Sequence, residues 1–206
     1  MKSLFPMFVK LDGRRVLVVG AGKVGEPKIQ GLLTTGAEIR VVTIQASEAT
    51  REWARAGEVT LQERAFVSSD LDGVFLVVVA TSSRELNQHV FEEAQRRRIL
   101  CNVVDVPHQC DFFYGAVVQR GDLQIAISTA GNSPSLAQRI RKQLERQFGA
   151  GYARWVADLG ATRSRVLASD LAPERKRELL QSLASEYAFE AALDAETKLR
   201  EEAVAL

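Results

Sequence analysis

The segment Gly20-Ala21-Gly22-Lys23-Val24-Gly25 follows directly on the run Arg14-Arg15-Val16-Leu17-Val18-Val19, and no other part of the chain constrains the fold as strongly. A β-branched run without alternation is the pattern of a strand covered on both faces of a parallel sheet. Glycines at G-x-G-x-x-G spacing allow a backbone to come close to a pyrophosphate, and Ile29, Leu32 and Leu33 then carry helical spacing as far as Gly36. Strand, glycine turn and helix in that order predict a dinucleotide site at Gly20, Gly22, Lys23 and Val24. Pro27 falls in the first helical turn, where backbone N–H groups have no intrahelical partner, so it does not break the helix.

The second strand is expected over Glu38 to Thr43. Many dinucleotide folds place a carboxylate at its end to hold the ribose 2′-hydroxyl. Here the residues are Thr43, Ile44 and Gln45, of which Thr43 and Gln45 can hydrogen-bond a ribose without securing the choice between NAD and NADP. A helix is predicted from Ser47 to Ala56, a short strand from Glu58 to Leu61, and a fully buried strand from Val74 to Val79. The small residues Ala80, Thr81, Ser82 and Ser83 close that strand and admit a ligand, with Ala80 and Thr81 as cofactor candidates and Ser82 or Ser83 as the next helix cap. Leu86, Val90 and Ala94 mark that helix, and Ile99 to Val104 the following strand. The order of elements implies an α/β, Rossmann-like doubly wound parallel sheet with its ligand crevice at the carboxyl ends of the strands.

Asp105 stands at such an end. A carboxylate there can act as a base or hold a developing cation, although Asp beside Pro107 is also an ordinary turn residue. Beyond it the parallel pattern stops. Phe112 to Val118 and Leu123 to Ser128 flank Gln119-Arg120-Gly121-Asp122, which predicts an antiparallel hairpin buried on one face, either a second layer or an intersubunit sheet. Gly131-Asn132-Ser133-Pro134 then opens a helix, with Ser133 as N-cap, Pro134 at the first position, and Leu136, Ile140 and Leu144 as its core stripe. Its free N–H groups suit an anion, and the same pattern suits an ordinary well-capped helix with a solvated basic face. From Gly149 onward the chain reads as helical: Tyr152, Trp155, Val156 and Leu159 form one stripe, Leu179, Leu180 and Leu183 another, and Glu186 to Ala205 a third amphipathic stretch. The expected domains are therefore 1–110 for the dinucleotide, 111–148 for the hairpin and its helix, a dimerisation and substrate region, and 149–206 for a helical domain.

Composition narrows the partners. The 27 Lys and Arg residues balance 26 Asp and Glu, so the chain lacks the global field that nonspecific nucleic-acid binding requires, and any anion site must be local. No apolar run approaches the roughly 18 residues of a membrane span, and the first residues lack the apolar centre of a signal peptide. A cytoplasmic protein is expected. Cys101 and Cys110 suit small buried thiols in a reducing compartment rather than a disulfide framework or a metal site. The isolated His89 and His108 read as structural groups.

Four blocks carry a resemblance over essentially the whole chain: Gly20-Ala21-Gly22-Lys23-Val24 with Lys28, Asn102-Val103-Val104-Asp105-Val106-Pro107, Arg120-Gly121-Asp122-Leu123, and Ile127-Ser128-Thr129-Ala130-Gly131-Asn132-Ser133-Pro134. With Leu4 to Leu11 ahead of the first strand, they resemble the precorrin-2 dehydrogenase and sirohydrochlorin ferrochelatase family, the module that completes siroheme synthesis. The resemblance implies NAD as cofactor and oxidation of precorrin-2 to sirohydrochlorin, in many members followed by ferrous-ion insertion. It matches Asp105 to the family's catalytic aspartate and implies a homodimer. For a polycarboxylate tetrapyrrole, the helix start at Asn132 and Ser133 with Arg139 becomes a carboxylate clamp. Ser128 matches a serine phosphorylated in some relatives, where a phosphate would repel such a substrate. The chain departs from the family at Gly25-Glu26-Pro27, usually Ala-x-Arg, at Gly115, commonly proline, and at Val106, often acidic. A competing reading is a noncatalytic NAD(H)-binding regulator, which would bind dinucleotide without any tetrapyrrole.

Overall fold

The computed structural model describes residues 4–193. Its contacts divide the chain into two units, one from Phe5 to Tyr114 and another beginning at Gly115.

The first unit is built on β1 (Arg15–Ala21), β2 (Glu38–Ala46), β3 (Thr60–Glu63), β4 (Leu76–Val79) and β5 (Leu100–Val103), joined in the order β3-β2-β1-β4-β5. All four pairings are parallel. The non-alternating runs have a simple cause. Leu17, Val19, Val77 and Val79 bury into one cluster while Val16, Val18, Val41 and Val78 bury into another, so successive side chains of one strand serve opposite faces and both must be apolar. Helix α1 (Glu26–Leu32) seals the second cluster with Ile29 and Leu32, and α3 (Arg84–Arg97) seals the first with Val90 and Ala94. Each such large side chain contributes about 1.5–3 kcal/mol by leaving water. Between them in sequence, α2 (Glu48–Arg55) is capped by Ser47, whose hydroxyl accepts from the Thr50 N–H.

Several strands run differently from their expected extents. β4 is the fully buried tetrad Leu76–Val79, and β2 continues past Thr43 to Ala46. Val19 pairs with Val42 but Ala21 pairs with Ala46, so β2 carries surplus residues opposite Gly20. Such a bulge releases Thr43, Ile44 and Gln45 from the regular ladder beside the glycine loop.

The second unit holds the hairpin β6 (Ala116–Arg120) and β7 (Leu123–Ile127), paired antiparallel with Arg120 opposite Leu123. Gly121 supplies the positive φ of 56° that this tight turn needs. As expected, one face is covered: Ala116 and Val118 are buried, while Gln124 and Ala126 are exposed. Gly115 precedes β6 at a point where a Cβ would come 2.8 Å from the Ile127 carbonyl oxygen, which accounts for glycine there. In α4 (Pro134–Gln147) the buried residue is Ala137, whereas Leu136, expected in the core stripe, is 37% exposed. Ile140 and Leu144 of that stripe are half-buried as expected, so only its first position shifts by one residue, because the surface a helix meets decides between adjacent positions. Arg120 ties the hairpin to the end of α4, donating from Nε to the Phe148 carbonyl (2.9 Å) and from Nη2 to that of Glu145 (3.1 Å). Helices α5 (Gly151–Ala168) and α6 (Pro173–Leu183) come next, and the chain is helical again over residues 186–193. Tyr152 and Trp155, both from the expected stripe, meet Phe189 with ring centroids 4.1 and 4.9 Å away. The remainder of the stretch expected to Ala205 lies outside the described residues. Among the described residues, no helix is long and apolar enough to cross a membrane.

Candidate functional site

A cavity of about 600 Å³ opens at the carboxyl ends of the parallel strands. Each strand contributes the residues at or just past its end: Gly20 to Val24 at the end of β1, Thr43 and Ile44 in β2, Arg64 to Phe66 after β3, Ala80 to Ser83 after β4, and Val104 and Asp105 after β5. Strand order therefore fixes the layout. Arg64 and Phe66 stand at one end, the glycine loop in the middle, and Asp105 at the other end.

The glycines explain how a ligand comes close. Gly20 has φ 95°, and a Cβ there would lie 2.5 Å from the Ala80 carbonyl oxygen; at Gly25 a Cβ would strike the carbonyl of Gly20. These two allow the turn to close on β4 and on itself. Around Gly22 a Cβ would meet nothing within 4 Å, so this glycine leaves open space on the cavity side rather than relieving a contact. That is the cradle a pyrophosphate needs, and the loop's residues fit a dinucleotide. Pro27 occupies the first turn of α1 as expected.

At the end of β2, Thr43 is buried, and its hydroxyl accepts from the Ala21 N–H (3.3 Å) and donates to the Gln45 carbonyl (3.0 Å). Its role in the structure is to pin the bulge to the glycine loop. Ile44 is 74% exposed at the cavity, and Gln45 is not among the lining residues. Thr81 is held by the amide of Asn87, to which its hydroxyl donates at 2.6 Å, and Ser83 caps α3 by accepting from the Leu86 N–H.

Asp105 adopts φ 62°, a left-handed conformation that Asp tolerates better than most residues, in the turn closed by Val106 N–H to the Val103 carbonyl. The chain then doubles back along β5 through the Asn102 to Cys110 bridge, and Asn102 donates to the Phe112 carbonyl at 2.7 Å. This return carries Tyr114 to Lys28, whose ammonium lies 4.1 Å from the ring centroid. Burial pulls the Lys28 ammonium below its ordinary pKa, against the opposing pull of the Asp105 carboxylate. Desolvation pushes the Tyr114 phenol up to about 12, although the residue as a whole keeps 45% of its surface exposed.

Burial also raises the thiols, that of the core residue Cys101 to about 12 and that of the half-buried Cys110, which suits inert groups rather than nucleophiles. Both are free. Among the described residues, no group of three or more His, Cys, Asp or Glu gathers to hold a metal ion.

In the second unit, Ser128, Asn132 and Ser133 share one loop. Ala130 and Gly131 take φ 51° and 81°, and the Ser128 hydroxyl accepts from the Ala130 N–H. Asn132 Nδ2 donates to the Thr129 carbonyl at 3.0 Å, and the Ser133 hydroxyl accepts from the Leu136 N–H at 3.2 Å, the expected cap with Pro134 behind it. Arg139 is exposed in the second turn of α4.

Arg64, Ala65 and Phe66 are the lining residues that the sequence pattern did not single out. The third strand was expected to end at Leu61; it runs to Glu63, which puts these residues at a strand's carboxyl end, where the fold places its ligands.

The fold and this cavity define a dinucleotide-binding α/β protein. The family described as "Putative NAD(P)-binding" matches residues 7–116, and "Sirohaem biosynthesis protein central" matches residues 120–147. The chain is 38% identical over 161 residues to "Siroheme synthase 1" of Serratia proteamaculans, and 40% identical over 161 residues to "Siroheme synthase" of Photorhabdus laumondii. Each alignment covers 78% of this chain and 34% of the relative, so the chain spans about a third of the length of these curated relatives. The solved structure "SirC, precorrin-2 dehydrogenase" superposes with a TM-score of 0.80 at 29% identity, covering 96% of this chain and 98% of that one. The chain belongs to the NAD(P)-binding family that siroheme-biosynthesis proteins contain.

Proposed function

We propose that the protein catalyses the NAD-dependent oxidation of precorrin-2 to sirohydrochlorin. The observation that carries this reading is Asp105 at the end of the dinucleotide cavity opposite Arg64, in a chain that aligns along nearly its whole length with a precorrin-2 dehydrogenase. Desaturation removes a hydride and a proton from the tetrapyrrole. NAD⁺, when bound, would supply the hydride acceptor. Gly20, Gly22, Lys23 and Val24 would hold its pyrophosphate, with Ile44, Ala80 and Thr81 along its length, while Asp105 receives the proton. Gln45 lies off the lining and is given no part in holding the dinucleotide.

The N-terminus of α4, with Ser128, Asn132, Ser133 and Arg139, is proposed to bind substrate carboxylates, its loop being set by the hydrogen bonds of Thr129, Asn132 and Ser133. Ferrous-ion insertion into sirohydrochlorin is proposed as a second step, with iron as substrate and two pyrrole protons leaving. A homodimer is proposed from the family resemblance alone, and the two free thiols suit a reducing cytosol.

Anaerobic turnover of precorrin-2 with NAD⁺, followed by ferrous ion, tests both steps. Stoichiometric NADH and the sirohydrochlorin spectrum are expected, then the siroheme spectrum. Tight NAD binding without NADH formation would overturn the dehydrogenase in favour of a dinucleotide-responsive regulator.

A further inference from the structure

The end of the cavity that receives the adenosine ribose holds no carboxylate from β2, yet it holds an arginine. Thr43 pairs with Glu63 in the β2–β3 ladder, so Arg64 follows immediately beside Ile44, where folds of this type choose between a 2′-hydroxyl and a 2′-phosphate. An arginine in this position ordinarily favours the phosphate. Here it is already occupied. Arg64 Nη2 and Nη1 donate to the two carboxylate oxygens of Asp70 at 2.6 and 2.8 Å, Nη1 also to the Ala65 carbonyl at 2.8 Å, and Nη2 also to Gln62 Oε1. Both terminal nitrogens are thus taken.

Asp70 is well placed to hold this arrangement. Its side chain is 9% exposed and accepts in addition from the Val67 N–H at 2.9 Å. Besides Arg64, the charge of Arg40 from β2 favours its ionised form. Glu63, the carboxylate that ends β3, is committed to Arg51 by two hydrogen bonds of 3.0 and 2.9 Å and to the Ala46 N–H, and it does not line the cavity. A 2′-phosphate would therefore meet ion pairs already closed on themselves, and it would have to break one of them to be neutralised.

We propose that the Asp70–Arg64 pair determines the dinucleotide: Asp70 withholds Arg64 from a 2′-phosphate, so the chain prefers NAD over NADP without any carboxylate on the ribose. This rests on the reading of the cavity as the NAD site. Asp70→Asn keeps the shape and an oxygen for the Val67 N–H while removing the charge that holds Arg64.

The test measures dissociation constants of NAD⁺ and NADP⁺ by calorimetry, without turnover. In Asp70→Asn the ratio of the NADP⁺ constant to the NAD⁺ constant is expected to fall at least about tenfold, with NAD⁺ affinity retained. Adding Arg64→Gln to that variant is expected to return the ratio to its original value, which separates Arg64 from Arg40. An unchanged ratio in Asp70→Asn overturns the proposal. So does a tenfold loss of NADP⁺ affinity in Arg64→Gln alone, which would show Arg64 serving the phosphate already and needs no change at Asp70. Failure of the unaltered protein to bind NAD⁺ would instead overturn the reading of the cavity itself.

Discussion

The Lys28 ammonium stands 4.1 Å from the centroid of the Tyr114 ring, joining the first turn of the helix after the glycine loop to the last residue of the nucleotide unit. The contact is attractive, yet burial outweighs the pull of the Asp105 carboxylate and disfavours the charged form of Lys28. A lysine whose folded pKa lies below its unfolded value costs stability in full below the folded pKa. The cost is relieved as pH rises from there toward the unfolded value. Lys28→Met, which keeps the aliphatic stem against the ring, is therefore expected to unfold at a higher temperature than the unaltered protein near neutral pH. The gap should narrow as pH rises into the alkaline range. Paired melting curves across that range check this, and a gap that widens with pH would refute it.

Asp105 combines a proposed chemical role with a left-handed backbone, and substitutions separate the two. Asparagine tolerates the left-handed region, so Asp105→Asn should melt close to the unaltered protein. Asp105→Val should lose about 1–2 kcal/mol to the φ of 62°. Both should lower the rate of precorrin-2 oxidation by about 10²- to 10⁴-fold, the range for losing a general base. Chemical denaturation together with single-turnover kinetics gives both readings, and full activity in Asp105→Asn would remove the proposed proton acceptor.

The glycines of the loop should respond in opposite ways. Gly20→Ala forces a Cβ toward the Ala80 carbonyl at a φ of 95°, so it should destabilise the fold by about 1–3 kcal/mol. Gly22→Ala meets nothing within 4 Å and should change stability by no more than about 0.5 kcal/mol. It should nevertheless weaken NAD⁺ binding by placing a methyl group where the pyrophosphate approaches. Melting temperature and calorimetric affinity for each variant distinguish a structural glycine from a ligand-facing one.

Arg120 should matter to the second unit without touching the dinucleotide. Its guanidinium satisfies carbonyls at the end of α4 that have no helical partner, so Arg120→Met is expected to cost about 1.5–3 kcal/mol. Hydrogen exchange should show faster opening at the end of α4 and in β6, and NAD⁺ affinity should be retained. Equal protection in the variant would contradict this role.

Much of this molecule could be read from residue order alone, because the relevant forces act between near neighbours. The non-alternating runs at Val16 to Val19 and Val77 to Val79 announce strands buried on both faces. Gly20, Gly22 and Gly25 announce the tight turn from β1 into α1, and Ser133 with Pro134 announces the start of α4 through a cap that closes within three residues. Periodicity could not choose between Leu136 and Ala137 as the packed position, since adjacent helical residues differ only in which partner surface they meet.

The Gly131-Asn132-Ser133-Pro134 turn and the loop after β1 were therefore determined by the sequence itself. Tertiary structure alone decided that Thr43 would pin a bulge and that Lys28 would meet Tyr114. Those relationships join residues from different strands and loops. Their existence depends on the order in which the sheet sets its strand ends side by side, and a linear pattern does not encode that distance.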